Sequence, residues 1–202
     1  MDGKILTQET PWKAILSFMF PVFIGLLLQQ LYNTVDTIVV GNFAGEAALA
    51  AVGASSVLTM IFLALANGFS AGASVLIAQL FGAGKEKEMR HQASSALLVM
   101  LAMGLVASAI GILISRFSLT YILATPDSLI SMADTYFKIY ASGLIFQFGY
   151  NIVAAILRGI GDSKATLYFL LIASVLNVVL DIVFVYNLRM GVAGSAIATN
   201  IA

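Results

Sequence analysis

The sequence predicts an all-α integral membrane protein, a polytopic helical bundle of five complete spans and the start of a sixth. Hydrophobic residues make up 60% of the 202 and charged residues only 10%, whereas soluble domains carry about 25% charged residues. The chain also contains repeated apolar runs of about 20 residues or more, the length a helix needs to cross a bilayer. Ten basic residues balance ten acidic ones, which excludes nucleic acid as a partner.

The apolar runs predict the spans in chain order. Their approximate bounds are 14–40, 47–83, 93–115, 129–157, 165–186 and the partial span 192–202. The first follows Thr10-Pro11-Trp12-Lys13, a helix start with interfacial residues. The second is longer than one upright crossing needs. It is therefore either a single tilted helix or a hairpin turning at 67–72.

The basic residues favour a single second helix and set the orientation. With one crossing, seven lie on the N-terminal side of the membrane, namely Lys4, Lys13, Lys85, Lys87, Arg90, Arg158 and Lys164. Only Arg116, Arg189 and Lys138 belong to the other side. Because cytoplasmic loops carry the excess of Lys and Arg, we expect a multi-pass protein of the cell membrane with a cytoplasmic N-terminus.

Two aspartates stand inside spans as their only charges. Asp36 lies in the first span and Asp181 in the fifth, although a charge at the bilayer centre costs about 2.5–3.5 kcal/mol on insertion scales. Gln29, Asn33 and Asp36 follow at i, i+4 and i+7, so they share one helical face. Both spans run outward in this topology, which places the two carboxylates at similar depth.

Amides and a hydroxyl accompany these acids on neighbouring spans. Asn177 lies four residues before Asp181, Gln147 and Asn151 repeat that spacing, and Thr199 lies on the incipient sixth span. Two carboxylates together with amide and hydroxyl oxygens are suitable ligands for Na⁺, or the two carboxylates could share a proton. The alternative is that these groups only hydrogen-bond helices together. Lone intramembrane acids favour the ion site.

One motif suggests a different class of protein. Gly159-Ile160-Gly161-Asp162 matches the Gly-x-Gly-Asp pattern of intramembrane aspartyl proteases. Arg158 and Lys164 flank it, however, so we interpret it as a turn between the fourth and fifth spans. A protease and a non-transporting membrane scaffold remain alternatives of another class, and we expect no enzyme activity.

Further motifs bear a resemblance to a known family. They occur in a fixed order, as Gln29-Gln30-Leu31-Tyr32-Asn33 with Asp36 and Gly41, Leu49-Ala50-Ala51-Val52-Gly53, Leu157-Arg158-Gly159-Ile160-Gly161-Asp162, Asn177-Val178-Val179-Leu180-Asp181 and the run 191–199. Over essentially its whole length the chain resembles the N-terminal lobe of a multidrug and toxic compound extrusion (MATE) transporter.

The resemblance implies a fold and an activity. Such proteins have two six-helix lobes around a central cavity, and they export organic, often cationic compounds in exchange for Na⁺ or H⁺. The positions matching Asp36, Asn177, Asp181 and Thr199 build the cation site in this branch, so these residues would hold Na⁺ in a sodium-coupled member. Gln29 and Asn151 match positions facing the cavity. Asn33 and Gln147 share their helical faces and join the predicted substrate cavity.

The length of the chain departs from the family. It stops inside the sixth span, whereas alternating access requires two lobes, so we interpret 1–202 as a truncated or partial copy. Its expected partners are the missing C-terminal lobe, the lipid bilayer, small organic substrates and the coupling cation, with no further cofactor. A lipid-linked oligosaccharide flippase on the same fold is the main alternative. Such cavities are richer in basic residues, and the spans here offer only Lys138.

Overall fold

The computed structural model describes residues 11–202 and contains helices but no strand in that range. The helices are α1 (Pro11–Val39), α2 (Glu46–Gly82), α3 (Glu86–Phe117), α4 (Asp127–Ser142), α5 (Leu144–Gly159), α6 (Ser163–Asp181) and α7 (Val192–Ile201). Four of these elements are long and apolar enough to cross a membrane, and the bent pair α4–α5 makes a fifth. The predicted all-α membrane fold is confirmed. The predicted roles of Lys4 and Thr10 lie outside the described residues.

The long second span is one helix. α2 runs without interruption for 37 residues, about 55 Å at about 1.5 Å per residue. The hairpin alternative at 67–72 is therefore wrong, because this segment stays helical throughout. Gly68 and Gly72 lie on its exposed side, where no neighbouring element forces a turn.

Three helices end in a wider turn at the same end of the bundle. α1, α3 and α6 continue into π-helical turns at Val40–Ala44, Ser118–Ile122 and Ile182–Asn187. Such turns insert an extra residue into the helical repeat and are frequent at functional sites. One of them begins directly after Asp181, which is the last α-helical residue of α6.

The predicted fourth span, 129–157, is broken in the middle. α4 and α5 meet at Gly143 with a bend of 48°. The Gly143 N–H donates to the Tyr140 carbonyl at 3.0 Å, three residues back instead of four. The Ser142 hydroxyl donates to the Ile139 carbonyl at 2.6 Å. A side chain bonded to that carbonyl in place of the helical N–H is a recognised cause of a kink.

Small residues bring α3 close to the bent span. A Cβ at Gly104 would lie 2.8 Å from the Ile145 Cα, and one at Gly111 would lie 3.0 Å from the Ala141 Cβ. This contact closes a core in which Phe137 and Phe148 are fully buried. Close approach at small residues is the usual way in which helices associate in lipid. Large apolar side chains elsewhere face outward, in keeping with a lipid environment.

The charges on α4 are paired. The Lys138 ammonium lies 2.8 Å from Asp134 Oδ2, and the buried Ser115 hydroxyl of α3 donates to Asp134 Oδ1 at 2.6 Å. These two residues form an i,i+4 ion pair on one face of α4. Lys138 is directed to this partner and does not reach the aspartates of the first and fifth spans.

Candidate ion site and adjoining cavity

Asp36 and Asp181 come together where α1 packs against α6. Their carboxyl groups lie close enough for each to affect the other's charge. Asp181 is fully buried and Asp36 is half-buried. Two carboxylates at this separation repel each other unless a proton or a cation lies between them. The pair therefore forms an acidic centre in which a proton or a cation would relieve the repulsion.

α7 supplies the third wall of this centre. The Ser195 hydroxyl donates to Asp36 Oδ1 at 2.8 Å, and Ser195 itself has no exposed surface. One turn further along α7, the Thr199 hydroxyl donates to the Ser195 carbonyl at 3.0 Å. The i,i+4 spacing of these two residues places both hydroxyls on the face of α7 that meets α1 and α6.

Asn177 links the second aspartate to α7. In the amide orientation that satisfies both of its polar atoms, Asn177 Nδ2 donates to Asp181 Oδ2 at 2.7 Å and its Oδ1 accepts from the Thr199 N–H at 3.3 Å. Asn177 is 1% exposed. The structure thus brings together all four residues predicted for cation binding, Asp36, Asn177, Asp181 and Thr199.

A cavity of about 570 Å³ adjoins the acidic centre. Its polar lining residues are Gln29, Tyr32, Gln147, Tyr150, Ser174, Asn177, Thr199 and Asn200. Leu170, Ala173 and Phe146 supply apolar surface. The lining contains amides, phenols and hydroxyls but no charged side chain, and Asn177 and Thr199 belong both to the lining and to the acidic centre.

The predicted cavity residues divide into two groups. Gln29 and Gln147 line the cavity. Asn33 is exposed and lies outside it, and Asn151 does not line it either. Asn151 Nδ2 donates instead to the Gln147 carbonyl at 2.9 Å. A shared helical face was not sufficient to place Asn33 in the cavity, although Gln29 lines the cavity and Asp36 contacts α7.

Sequence reasoning gave no role to Ser195, Tyr32 or Tyr136. The two tyrosines lie close enough to both carboxylates to interact with their charge, and Tyr136 is 7% exposed. A signal was present for Ser195, since it precedes Thr199 by the same four residues that separate Asn177 from Asp181. The tyrosines gave no signal, because a phenol in a span is compatible with simple packing.

The chemistry of the donor set fits a small hard cation or a proton. Asp181 Oδ1 is buried and has no hydrogen-bond donor among the described residues, an arrangement that is costly unless something binds there. Carboxylate, amide and hydroxyl oxygens surround it, and these are ligands for hard cations. Asp36, Asp181, Asn177 and Thr199 could supply the oxygens for Na⁺, and either carboxyl could hold a proton.

Asp162 has a structural explanation. Its Oδ1 accepts a hydrogen bond from the Ala165 N–H at 3.0 Å, which caps α6. Gly161 adopts φ +86°, a conformation that favours glycine. A Cβ at Gly159 would lie 3.0 Å from the Ser74 carbonyl oxygen of α2. The motif 159–162 is therefore a tight turn between helices, as predicted, and its glycines and its aspartate each have a local structural cause.

Comparison with known proteins points to one family. A family model described as MatE matches residues 21–183. The chain is 33% identical over 199 residues to the probable multidrug resistance protein YpnP of Bacillus subtilis (strain 168), covering 98% of this chain and 44% of that protein. It therefore spans less than half the length of this relative.

Solved structures give the same result. A MOP superfamily transporter from Pyrococcus furiosus Vc1 (DSM3638) is 32% identical, with a TM-score of 0.92 over 100% of this chain and 44% of that one. A multidrug resistance MATE family transporter in an outward-facing conformation is 33% identical, with a TM-score of 0.91 over 100% of this chain and 44% of its own. From its helices, its motifs and these matches, the chain belongs to the MatE family of multidrug and toxic compound extrusion transporters.

Proposed function

We propose that this chain is the N-terminal lobe of a secondary-active antiporter that exports organic, often cationic compounds in exchange for Na⁺ or H⁺. The observation that carries the proposal is the contact between Asp36 and Asp181 among Ser195, Asn177 and Thr199. Such an acidic centre binds a proton or a small cation reversibly, which is what a coupling site requires.

The cavity supports an organic substrate. Phenol and amide side chains line it beside apolar residues, and the negative charge of the acidic centre lies next to it. Aromatic faces attract organic cations. Because a cation and a cationic substrate would both be attracted to the same acidic centre, binding of one would weaken binding of the other, and this reciprocal coupling is the basis of exchange.

The distribution of charge supports a cytoplasmic N-terminus in the cell membrane. Lys13 lies at the start of α1, Lys85 precedes α3, and Arg158 lies in the last turn of α5. These positions lie at one end of the bundle when successive spans alternate in direction. Basic residues at that end agree with the positive-inside rule. The lobe would meet a C-terminal lobe of similar size, since two lobes are needed for alternating access.

A lipid-linked oligosaccharide flippase is the second candidate on this fold. Its anionic pyrophosphate would require basic residues in the cavity. Lys138 is instead paired with Asp134, and no Lys or Arg lines the described cavity. The polarity of the cavity therefore favours the exporter. A transporter family also favours a non-enzymatic role over the protease alternative.

The test is transport by the full-length protein in proteoliposomes. A fluorescent aromatic cation is loaded on one side, and its movement is followed after an inward Na⁺ gradient or pH gradient is imposed. We expect transport that either Asp36→Asn or Asp181→Asn reduces at least about tenfold, equivalent to about 1.4 kcal/mol. Asp127→Asn, at an exposed position in the first turn of α4, is the matched control. Equal transport by all variants would contradict the proposal.

A further inference from the structure

The break between α4 and α5 is held by a side chain from another helix. Asn200 on α7 donates from Nδ2 to the Ile139 carbonyl at 2.6 Å. This is the carbonyl that the Gly143 N–H leaves free when it bonds to Tyr140 instead. The Ser142 hydroxyl donates to the same carbonyl, so Asn200 supplies a second hydrogen bond, from a different helix, to the backbone acceptor at the bend.

Gly143 is the residue that admits Asn200 to this position. A Cβ at Gly143 would lie 2.0 Å from Asn200 Oδ1 and 2.2 Å from its Cγ. Any other residue at 143 would therefore displace the amide. Asn200 Oδ1 is buried without a hydrogen-bond partner among the described residues, so a single hydrogen bond to Ile139 fixes the amide. Such a contact is specific, yet weak enough to break and form again.

The same short helix also contacts the acidic centre. α7 provides Ser195 to Asp36 and the Thr199 N–H to Asn177, and Asn200 is the next residue. Ser195, Thr199 and Asn200 lie within two turns of the same helix, so displacement of the first two is transmitted to Asn200. On the far side of the bend, the Gln147 N–H bonds to the Gly143 carbonyl at 3.2 Å, and Gln147 lines the cavity.

We propose that Asn200 is a positioning residue that couples the acidic centre to the bend at Gly143, so that ion binding at Asp36 and Asp181 reorients the part of α5 that lines the cavity. The inference rests on the proposed function, since it requires an ion at the acidic centre. It adds a specific mechanical connection, from α7 through the Ile139 carbonyl to α5, and it assigns a role to Gly143 and Asn200.

The experiment measures the bend and ion binding separately in the full-length protein in lipid nanodiscs. Ser128→Cys on α4 and Val153→Cys on α5 are both exposed positions, and residues 1–202 contain no native cysteine to compete for spin labels. Their separation is measured by double electron–electron resonance in Na⁺ and in K⁺, and at about pH 6 and about pH 8. Ion-dependent melting of the same samples reports binding.

In the protein that keeps Gly143 and Asn200, we expect ion binding to change the distance between the two labels by about 2 Å. This is the scale of helix shifts in switching proteins. Asn200→Ala should abolish this shift and retain the ion-dependent rise in melting temperature. Gly143→Ala should abolish it too, by displacing the amide. Asn42→Ala removes an exposed amide in the π-helical turn that follows α1 and should change neither readout.

The pair of variants also guards against simple misfolding. In the Asn200→Ala background the amide that overlaps a Cβ at position 143 is gone. Adding Gly143→Ala there should therefore lower the stability of the fold by less than Gly143→Ala does alone. A retained label shift in Asn200→Ala, or no shift in the unsubstituted protein, overturns the inference and leaves the ion site intact. No ion-dependent melting in the unsubstituted protein overturns the proposed function, and this inference with it.

Discussion

Ser195 donates a hydrogen bond of 2.8 Å to Asp36 although 159 positions separate them in the sequence. The contact joins α1 to α7, so α7 forms one wall of the acidic centre. A hydrogen bond to a charged group contributes about 1.5–3 kcal/mol. Ser195 is therefore expected to matter both for stability and for the state of Asp36.

Removing the Ser195 hydroxyl tests this contact. Ser195→Ala should lower the free energy of unfolding by about 1–3 kcal/mol, because a carboxylate oxygen of the half-buried Asp36 loses its donor. The loss should largely disappear in the Asp36→Asn background, where the buried charge is gone. Ser56→Ala, at an exposed hydroxyl bonded only within α2, is the control. Equal costs in both backgrounds would show that Ser195 acts independently of Asp36.

The close packing of α3 against α5 gives a second prediction. Gly104→Ala should destabilise the fold by about 1–3 kcal/mol, since the added methyl would lie against the backbone of Ile145 and overpacking has that cost. Gly53→Ala has no atom within 4 Å of the added Cβ and should be neutral or slightly stabilising. Thermal unfolding of both variants decides the matter, and a neutral Gly104→Ala would contradict the observed packing.

The turn before α6 gives a third prediction. Asp162→Ala should lower stability by about 1 kcal/mol through loss of the helix cap and should leave cation binding unchanged. Asp162→Asn keeps an oxygen that can accept from the Ala165 N–H and should recover most of that stability. Proteolytic activity in the parent protein that Asp162→Asn abolishes would instead support the protease alternative.

The two aspartates could be predicted as site residues because a charged side chain inside an apolar membrane span is energetically costly, and the sequence shows both charges. Asp36 and Asp181 are single charges in otherwise apolar runs, and such residues require a partner. The spans followed equally from the length of the apolar runs. The broken span at Gly143 was not predictable by this reasoning, because α4 and α5 together form one apolar run and glycine is tolerated inside membrane helices.

The contacts of α7 depended on tertiary structure. Asn200 and Ser195 look like ordinary polar residues of an apolar helix, and periodicity cannot say which carbonyl or carboxylate faces them. Asn33 illustrates the converse. It shares a helical face with Gln29 and Asp36, yet it does not line the cavity. Periodicity predicts a shared face, and only the neighbouring helices determine which part of that face is buried.

The central claim is that Asp36 and Asp181 form a coupling-ion site, and ion-dependent stability tests it most directly. The full-length protein is melted in Na⁺ and in equimolar K⁺ at about pH 6 and about pH 8, beside Asp36→Asn, Asp181→Asn and the control Asp127→Asn. At an ion concentration about 100 times the dissociation constant, binding contributes about 2.7 kcal/mol.

The account predicts a rise in melting temperature that is specific to Na⁺ or that follows protonation, lost in either aspartate variant and retained in Asp127→Asn. A rise specific to Na⁺ identifies sodium coupling, and a shift with pH alone identifies proton coupling. Identical melting of all four proteins in every condition would contradict the account and leave the two aspartates as structural residues only.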